Sequence, residues 1–269
     1  MYHHLRLFTI LVSFFFFLET VAGEDTYNPL AYQRIVTARS EVLHTVEVDP
    51  ADITFEIRAS DGLARLENML QPDDLAAING GFFSKDGYSV GTIKTHNIPL
   101  RVSTKSRGVV GWKVVNNRTV WYFDRLKLSS DNQIVSSLRQ DAWWHDVSYV
   151  LGGAPLLIFH GEALDYGEEE LLSTFVSRSY ARSAICQHKN GRVYLILVEG
   201  GAYWTYFAVQ SGMSLSRLRE YLYDFGCFNA LNLDGGFSST LFNNGRIYKS
   251  LNYVFVPQRK IHNIIAIKR

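Results

Sequence analysis

The sequence of 269 residues holds two cysteines, six prolines and three methionines. Two cysteines cannot supply a four-thiolate zinc site or the dense bridging of a small disulfide scaffold. The eight histidines are scattered, so no ready cluster of metal ligands stands out. Charge of one sign is also missing: 27 basic and 26 acidic residues leave a formal +1. That balance argues against nucleic acid or an anionic membrane surface as a partner chosen by bulk charge. Any recognition of phosphate must be local. The one long hydrophobic run is Leu7 to Leu18, too short to span a bilayer. With Arg6 before it and Val21-Ala22-Gly23 after it, the run reads as a signal peptide over residues 1–23. A mature chain over residues 24–269, exported and with no membrane span, is the expectation.

What is present is a 47% apolar composition, that of a globular protein with a core. Short strand-like runs dominate: Val42 to Val48, Ile53 to Ile57, Leu75 to Ile78, Val109 to Val115 and Arg192 to Val198. Asn116-Asn117, Lys189-Asn190-Gly191 and Asn243-Asn244-Gly245 read as hairpin turns. Helical spacing is rarer. Leu63, Leu66 and Leu70 predict a short helix, Ser136 to Trp144 another, and Ser214 to Phe225 the best one, capped by Ser214 and ended by Gly226. The fold class expected is α+β: a single domain with a mostly antiparallel or mixed β-sheet and a few flanking helices. The acidic run Asp165 to Glu170 reads as a solvated loop, with a lid as the functional alternative. Trp143 and Trp144 read as core or as a platform for a sugar ring. Cys186 and Cys227 leave a disulfide and two buried thiols equally open.

Chemistry concentrates in two echoing stretches, Ile78-Asn79-Gly80-Gly81-Phe82 and Leu233-Asp234-Gly235-Gly236-Phe237. Each is an apolar strand that ends on a polar residue and two glycines, which let the backbone turn or approach a ligand closely. A plain turn explains either one alone. As a pair they are two strand ends suited to facing one cleft. Asn232 and Ser238 flank the second, adding polar groups that an ordinary hairpin does not need. Arg182, entering a strand beside Ser183, suits either a phosphate fork or an ordinary ion pair.

Together with Gly152-Gly153-Ala154-Pro155, Ala181-Arg182-Ser183-Ala184-Ile185, Arg259 and Asn263, these stretches resemble the phosphodiester glycosidase family, in the same order, from about Ala76 onward. The resemblance implies hydrolysis of a sugar-1-phosphodiester, such as an N-acetylglucosamine-1-phosphodiester, to free sugar and a phosphomonoester. It implies Asp234 as the first catalytic carboxylate and Glu199 as the second. Arg182 and the Gly235 and Gly236 amides would hold the phosphate with help from Arg259, while Asn79, Gly80, Gly81, Asn232 and Ser238 would line or orient the substrate. No cofactor is implied. Two alternatives stay open: a metal-dependent phosphodiesterase with Asp234, Asn232 and Glu199 around calcium or magnesium, and a glycan-binding protein without turnover. The sequence departs from the family pattern at Cys186, Glu199 and Phe237, where glycine, aspartate and a smaller residue are usual.

Overall fold

A computed structural model describes residues 29–51, 53–96, 98–200, 212–250 and 258–269. The expected signal peptide lies outside the described residues. Strands, numbered along the chain, form three sheets. The seven-stranded sheet runs β1 (Leu30–Val36), β2 (Val42–Val48), β14 (Val193–Val198), β13 (Arg182–His188), β15 (Cys227–Asn232), β11 (Leu156–Phe159), β12 (Glu162–Ala163). The six-stranded sheet runs β6 (Ile98–Arg101), β5 (Ile93–Thr95), β10 (Tyr149–Gly152), β7 (Arg107–Val115), β8 (Arg118–Leu128), β9 (Ile134–Ser136). The five-stranded sheet runs β17 (Arg246–Lys249), β16 (Thr240–Asn243), β4 (Asp74–Asn79), β18 (Ile261–Lys268), β3 (Thr54–Ala64). Every strand pairing among the described residues is antiparallel.

The fold is therefore β-rich rather than the α+β expected. Two α-helices occur among the described residues, α1 (Ser173–Ser177) and α2 (Leu215–Asp224). The latter matches expectation: Ser214 Oγ accepts from Arg217 N, and Gly226 follows at φ +90°. The two other expected helices are absent. Over Leu63 to Leu70 the chain stays in β3 through Ala64 and then makes one 3-10 turn, Leu66–Met69. Spacing of three serves such a turn as well as it serves an α-helix. Between Ser136 and Trp144 a strand end, a Gln140 at φ +61° and a second 3-10 turn replace the helix. The hairpins hold: Asn116 and Asn117 both take positive φ, as do Asn244 and Gly245, the geometry of twisted two-residue turns.

The largest core cluster lies where the sheets meet and draws on all three: Val46, Leu195 and Leu231, then Trp112 and Leu151, then Phe55, Ile78 and Ile265. Strand alternation feeds different layers. In β14, Val193, Leu195 and Leu197 join this central core, while Tyr194, Ile196 and Val198 pack with α2 through Leu218 and Leu222. A strand buried on both faces needs the unbroken apolar run seen there. Cys186 and Cys227 form a disulfide between β13 and the start of β15.

The acidic run is not simply solvated. Glu169 is fully buried, accepting from Arg125 Nε at 3.0 Å, Leu156 N at 2.8 Å and Gly108 N at 3.0 Å. Burial pushes its carboxyl up while those donors and the Arg125 charge pull it back down. Arg125 also donates to Glu168 and to the Asp165 carbonyl. The loop is clamped to β7, β8 and β11. Removing one partner of a buried pair leaves the other charge uncompensated, at about 3 to 5 kcal/mol. Glu169→Ala should lower stability by that amount in urea titration, and a change below about 1 kcal/mol would contradict a dry, essential clamp.

Candidate active site

The two echoing strand ends meet. Asp234 N donates to Gly80 O at 3.0 Å, and Asn79 Nδ2 donates to Asp234 O at 2.7 Å. This joins the end of β4, in the five-stranded sheet, to the end of β15, in the seven-stranded one. The six-stranded sheet reaches the same corner at the end of β10. A Cβ on Gly81 would lie 2.3 Å from Gly152 O, and one on Gly153 would lie 2.2 Å from Asn232 O, so side chains are excluded at both positions. Asn263 completes the join from β18: its carbonyl accepts from Gly80 N at 2.9 Å and its Oδ1 from Gly81 N at 2.7 Å.

Several residues expected to touch substrate are hydrogen bonded into this frame. Asn79 is 1% exposed, and its Oδ1 accepts from Ser183 Oγ at 2.7 Å and Thr240 N at 3.0 Å. Asn232 is fully buried, with Nδ2 donating to Ala154 O at 2.6 Å and Leu233 O at 2.9 Å. Gly80 and Gly81 are buried, and their amides are taken by Asn263. Arg182 is the largest departure. It is 1% exposed, and its Nε and Nη2 donate to the carbonyls of Met213, Phe175 and Arg178. Burial pushes its guanidinium down to about 10. Its side chain holds α1 and the Met213 segment. The Gly235 and Gly236 amides are engaged too, the first by Asp234 Oδ1 at 2.9 Å and the second by Ala181 O at 2.8 Å.

Three expected residues remain at the open side of the corner. Asp234 is partly exposed, and burial among its neighbours pushes its carboxyl up to about 6. Ser238, the Arg259 charge and the Gly235 amide draw it back only in part. The Ser238 hydroxyl makes no hydrogen bond of ordinary geometry, yet it lies near enough to favour the ionised carboxylate. Arg259 is exposed, its guanidinium over the Phe83 ring at 5.2 Å, which leaves a cation beside Asp234 and open to solvent. Glu199 follows β14. Val198 pairs Arg182 across β13, and Leu233 N donates to Ser183 O, so Glu199 and Asp234 end strands of one sheet on the same side.

Sequence reasoning missed the group that holds Glu199. His44 Nε2 lies 2.7 Å from Glu199 Oε1, and His44 Nδ1 lies 2.8 Å from Tyr32 OH. Tyr248 packs on both rings, at 4.5 Å from His44 and 4.9 Å from Tyr32. The available signal was a lone histidine inside the apolar run of β2, 2% exposed and so in need of buried partners. Asn263, Ser183 and Thr240 were likewise unassigned and prove to be parts of the frame. For a metal, one trio of His, Cys, Asp and Glu side chains within reach of one ion occurs among the described residues. It is Cys186, His188 and Cys227, away from Asp234, with both sulfurs already joined.

Residues 73–268 match the phosphodiester glycosidase family. The chain belongs to that family. No curated protein sequence matches it. Among solved structures, the zebrafish N-acetylglucosamine-1-phosphodiester alpha-N-acetylglucosaminidase catalytic domain, auto-inhibited by its pro-peptide, superposes with TM-score 0.64 at 22% identity, over 91% of this chain and 85% of that one. A hypothetical protein from Synechocystis gives TM-score 0.67 at 18% identity. That match covers 89% of this chain but 62% of the other. A Burkholderia pseudomallei K96243 protein, provisionally described as exported, gives 0.63 at 12% identity, over 85% and 74%. At these identities the likeness establishes a shared fold.

The raised Asp234 carboxyl has a stability consequence. A folded-state value near 6 against an unfolded value of about 4 costs little at pH 3.5, where both states are mostly protonated. The cost grows as pH rises and is complete above 6, on the order of 2 kcal/mol. Asp234→Asn removes the ionisation. Its stability relative to the native protein should therefore rise by about that amount between pH 3.5 and 7.5 in urea titrations. A difference that stays constant with pH would contradict the desolvated carboxyl.

Proposed function

We propose that the chain hydrolyses a sugar-1-phosphodiester at its glycosidic bond. The observation that carries this reading is Asp234, partly open to solvent with its carboxyl near 6, on the same side of one sheet as Glu199 and beside the exposed Arg259. Water adds at C1 of the sugar as the C1–O bond breaks, giving free sugar and a phosphomonoester. The departing phosphate monoester is a stable anion and needs little protonation. The larger demands are stabilising positive charge at C1 and activating the attacking group.

Asp234 meets the second demand in its ionised form, as base or nucleophile. Glu199, fixed by His44, supplies a second carboxylate for the charge at C1. Arg259 faces the phosphate, because it is exposed beside Asp234 whereas Arg182 is buried with Nε and Nη2 donating to backbone carbonyls. Phe237 is 50% exposed beside Asp234 and gives an apolar wall against which the sugar or its aglycone packs. N-acetylglucosamine-1-phosphodiesters are the substrates to try first, since the zebrafish relative is named for them. Export fits the disulfide, which persists in oxidising compartments. It also fits the charged, apolar and small-residue order of residues 1–23. No helix among the described residues is long and apolar enough to cross a membrane.

The test is release of free sugar from a panel of sugar-1-phosphodiesters. Turnover should fall at least ~100-fold in Asp234→Asn with the fold intact. For the native protein, kcat/KM should rise about tenfold per pH unit below 6 and level above it, as ionised Asp234 accumulates. A rate that falls through pH 6 would reverse the role to general acid. Tight sugar-phosphate binding with no turnover would point to a binding protein.

A further inference from the structure

His44 lies on the face of the seven-stranded sheet that turns Val46, Leu195 and Leu197 into the central core. It is 2% exposed there, directly opposite Leu197 on β14. A polar ring at such a place has to satisfy both nitrogens within the protein, because an unpaired one keeps its full desolvation cost. Nε2 reaches Glu199 Oε1 at 2.7 Å and Nδ1 reaches Tyr32 OH at 2.8 Å. We propose that Tyr32 is a positioning residue for hydrolysis: its hydroxyl donates to His44 Nδ1, fixes the ring proton on Nε2, and so holds Glu199 as an aimed carboxylate. Its effect on rate rests on the hydrolytic reading above; the proton arrangement does not.

A neutral imidazole carries one N–H and one bare nitrogen. With the proton on Nδ1, Nε2 could only accept, and Glu199 would have to be protonated to hold the 2.7 Å contact. With the proton on Nε2, the ring donates to an ionised Glu199, and Nδ1 then needs a donor. Tyr32 is that donor. Burial, and after it the hydrogen bond with Tyr248, push the Tyr32 hydroxyl well above its ordinary value, so it keeps its proton. A hydroxyl both donates and accepts, so Tyr248 can supply one hydrogen while Tyr32 gives its own to Nδ1.

The fold holds each member in place. Arg34 pairs with His44 across β1 and β2, which puts Tyr32 on the same face, one diagonal step away. The Tyr248 ring, from β17, packs at 4.9 Å on Tyr32 and 4.5 Å on His44 and closes both against the five-stranded sheet. Glu199 N donates to Val42 O at 2.9 Å, so carboxylate and imidazole are carried by neighbouring strands. Any buried acceptor would satisfy an ordinary core histidine. Here the acceptor is the carboxylate that follows β14 on the side of Asp234.

The test uses the full ¹⁵N-labelled chain and Tyr32→Phe, which deletes the hydroxyl and keeps the ring on Tyr248. Long-range ¹H–¹⁵N spectra should show His44 protonated on Nε2 alone in the native chain and a mixture of tautomers in Tyr32→Phe. On an N-acetylglucosamine-1-phosphodiester, Tyr32→Phe should lower kcat at least ~10-fold with KM within about twofold. Added to His44→Gln, whose carboxamide offers an N–H with no tautomer to choose, it should cost no more than about twofold further. A native His44 protonated on Nδ1, or on both nitrogens, overturns the proposal. So does a Tyr32→Phe chain with native tautomer and native kcat, or a loss that persists in full on the His44→Gln background, the mark of a merely structural role. Absence of turnover by the native chain would overturn the hydrolytic reading instead, and the spectra would still decide the proton arrangement.

Discussion

The buried carboxamide of Asn79 is the constraint on which the rest of the corner depends. It accepts from Ser183 on β13 and from Thr240 on β16, and it donates to the carbonyl of Asp234. Two sheets are joined by one side chain with no access to solvent, where an unmade bond costs its full desolvation. Asparagine fits because it carries a donor and an acceptor on one planar group, a combination that neither aspartate nor leucine reproduces. The glycines around it follow from the same closeness. Where strand ends converge, backbone at 81, 152 and 153 passes other backbone, and at 80 the Asn263 carboxamide, at distances that leave no room for a Cβ.

That frame places Asp234 where it conflicts with stability. Folding burial raises the carboxyl to about 6, and the Gly235 amide, Ser238 and Arg259 return only part of the lost solvation. Ionising the carboxyl costs more in the folded chain than in the unfolded one. Strain of this kind at one residue is tolerated when surrounding bonds fix the chain, and the Gly80, Ala181 and Asn79 contacts to residues 234–236 do so. Glu199 is held differently, through His44 and Tyr32 in the first two strands of the seven-stranded sheet. The N-terminal strands, which precede the part of the chain matched to the family, thereby supply the second carboxylate's anchor.

Much of this was legible in the sequence, for identifiable reasons. Paired asparagines and Asn-Gly turns announced hairpins because positive φ is cheap there. The echo of Asn79-Gly80-Gly81 in Asp234-Gly235-Gly236 announced two strand ends at one place, and they are hydrogen bonded to each other. What the sequence concealed was direction and depth. Arg182 and Asn79 have the right chemistry for a phosphate and a hydroxyl, but both are buried and bonded within the protein, and burial depends on contacts far apart in the chain. Spacing at Leu63, Leu66 and Leu70 is shared by α and 3-10 geometry, so the helical content was overestimated. Glu169 read as one of several solvated acids because its partners, Arg125, Gly108 and Leu156, are remote in sequence.

The central claim is that a carboxylate-lined corner breaks the bond on the sugar side of the bridging oxygen. Turnover of an N-acetylglucosamine-1-phosphodiester in H₂¹⁸O, followed by mass spectrometry of the phosphomonoester, decides it most directly. Cleavage at C1 leaves the phosphomonoester with its original oxygens and puts the heavy atom into the freshly released sugar. Heavy oxygen in the phosphate would mean attack at phosphorus, and the glycosidase account would be wrong.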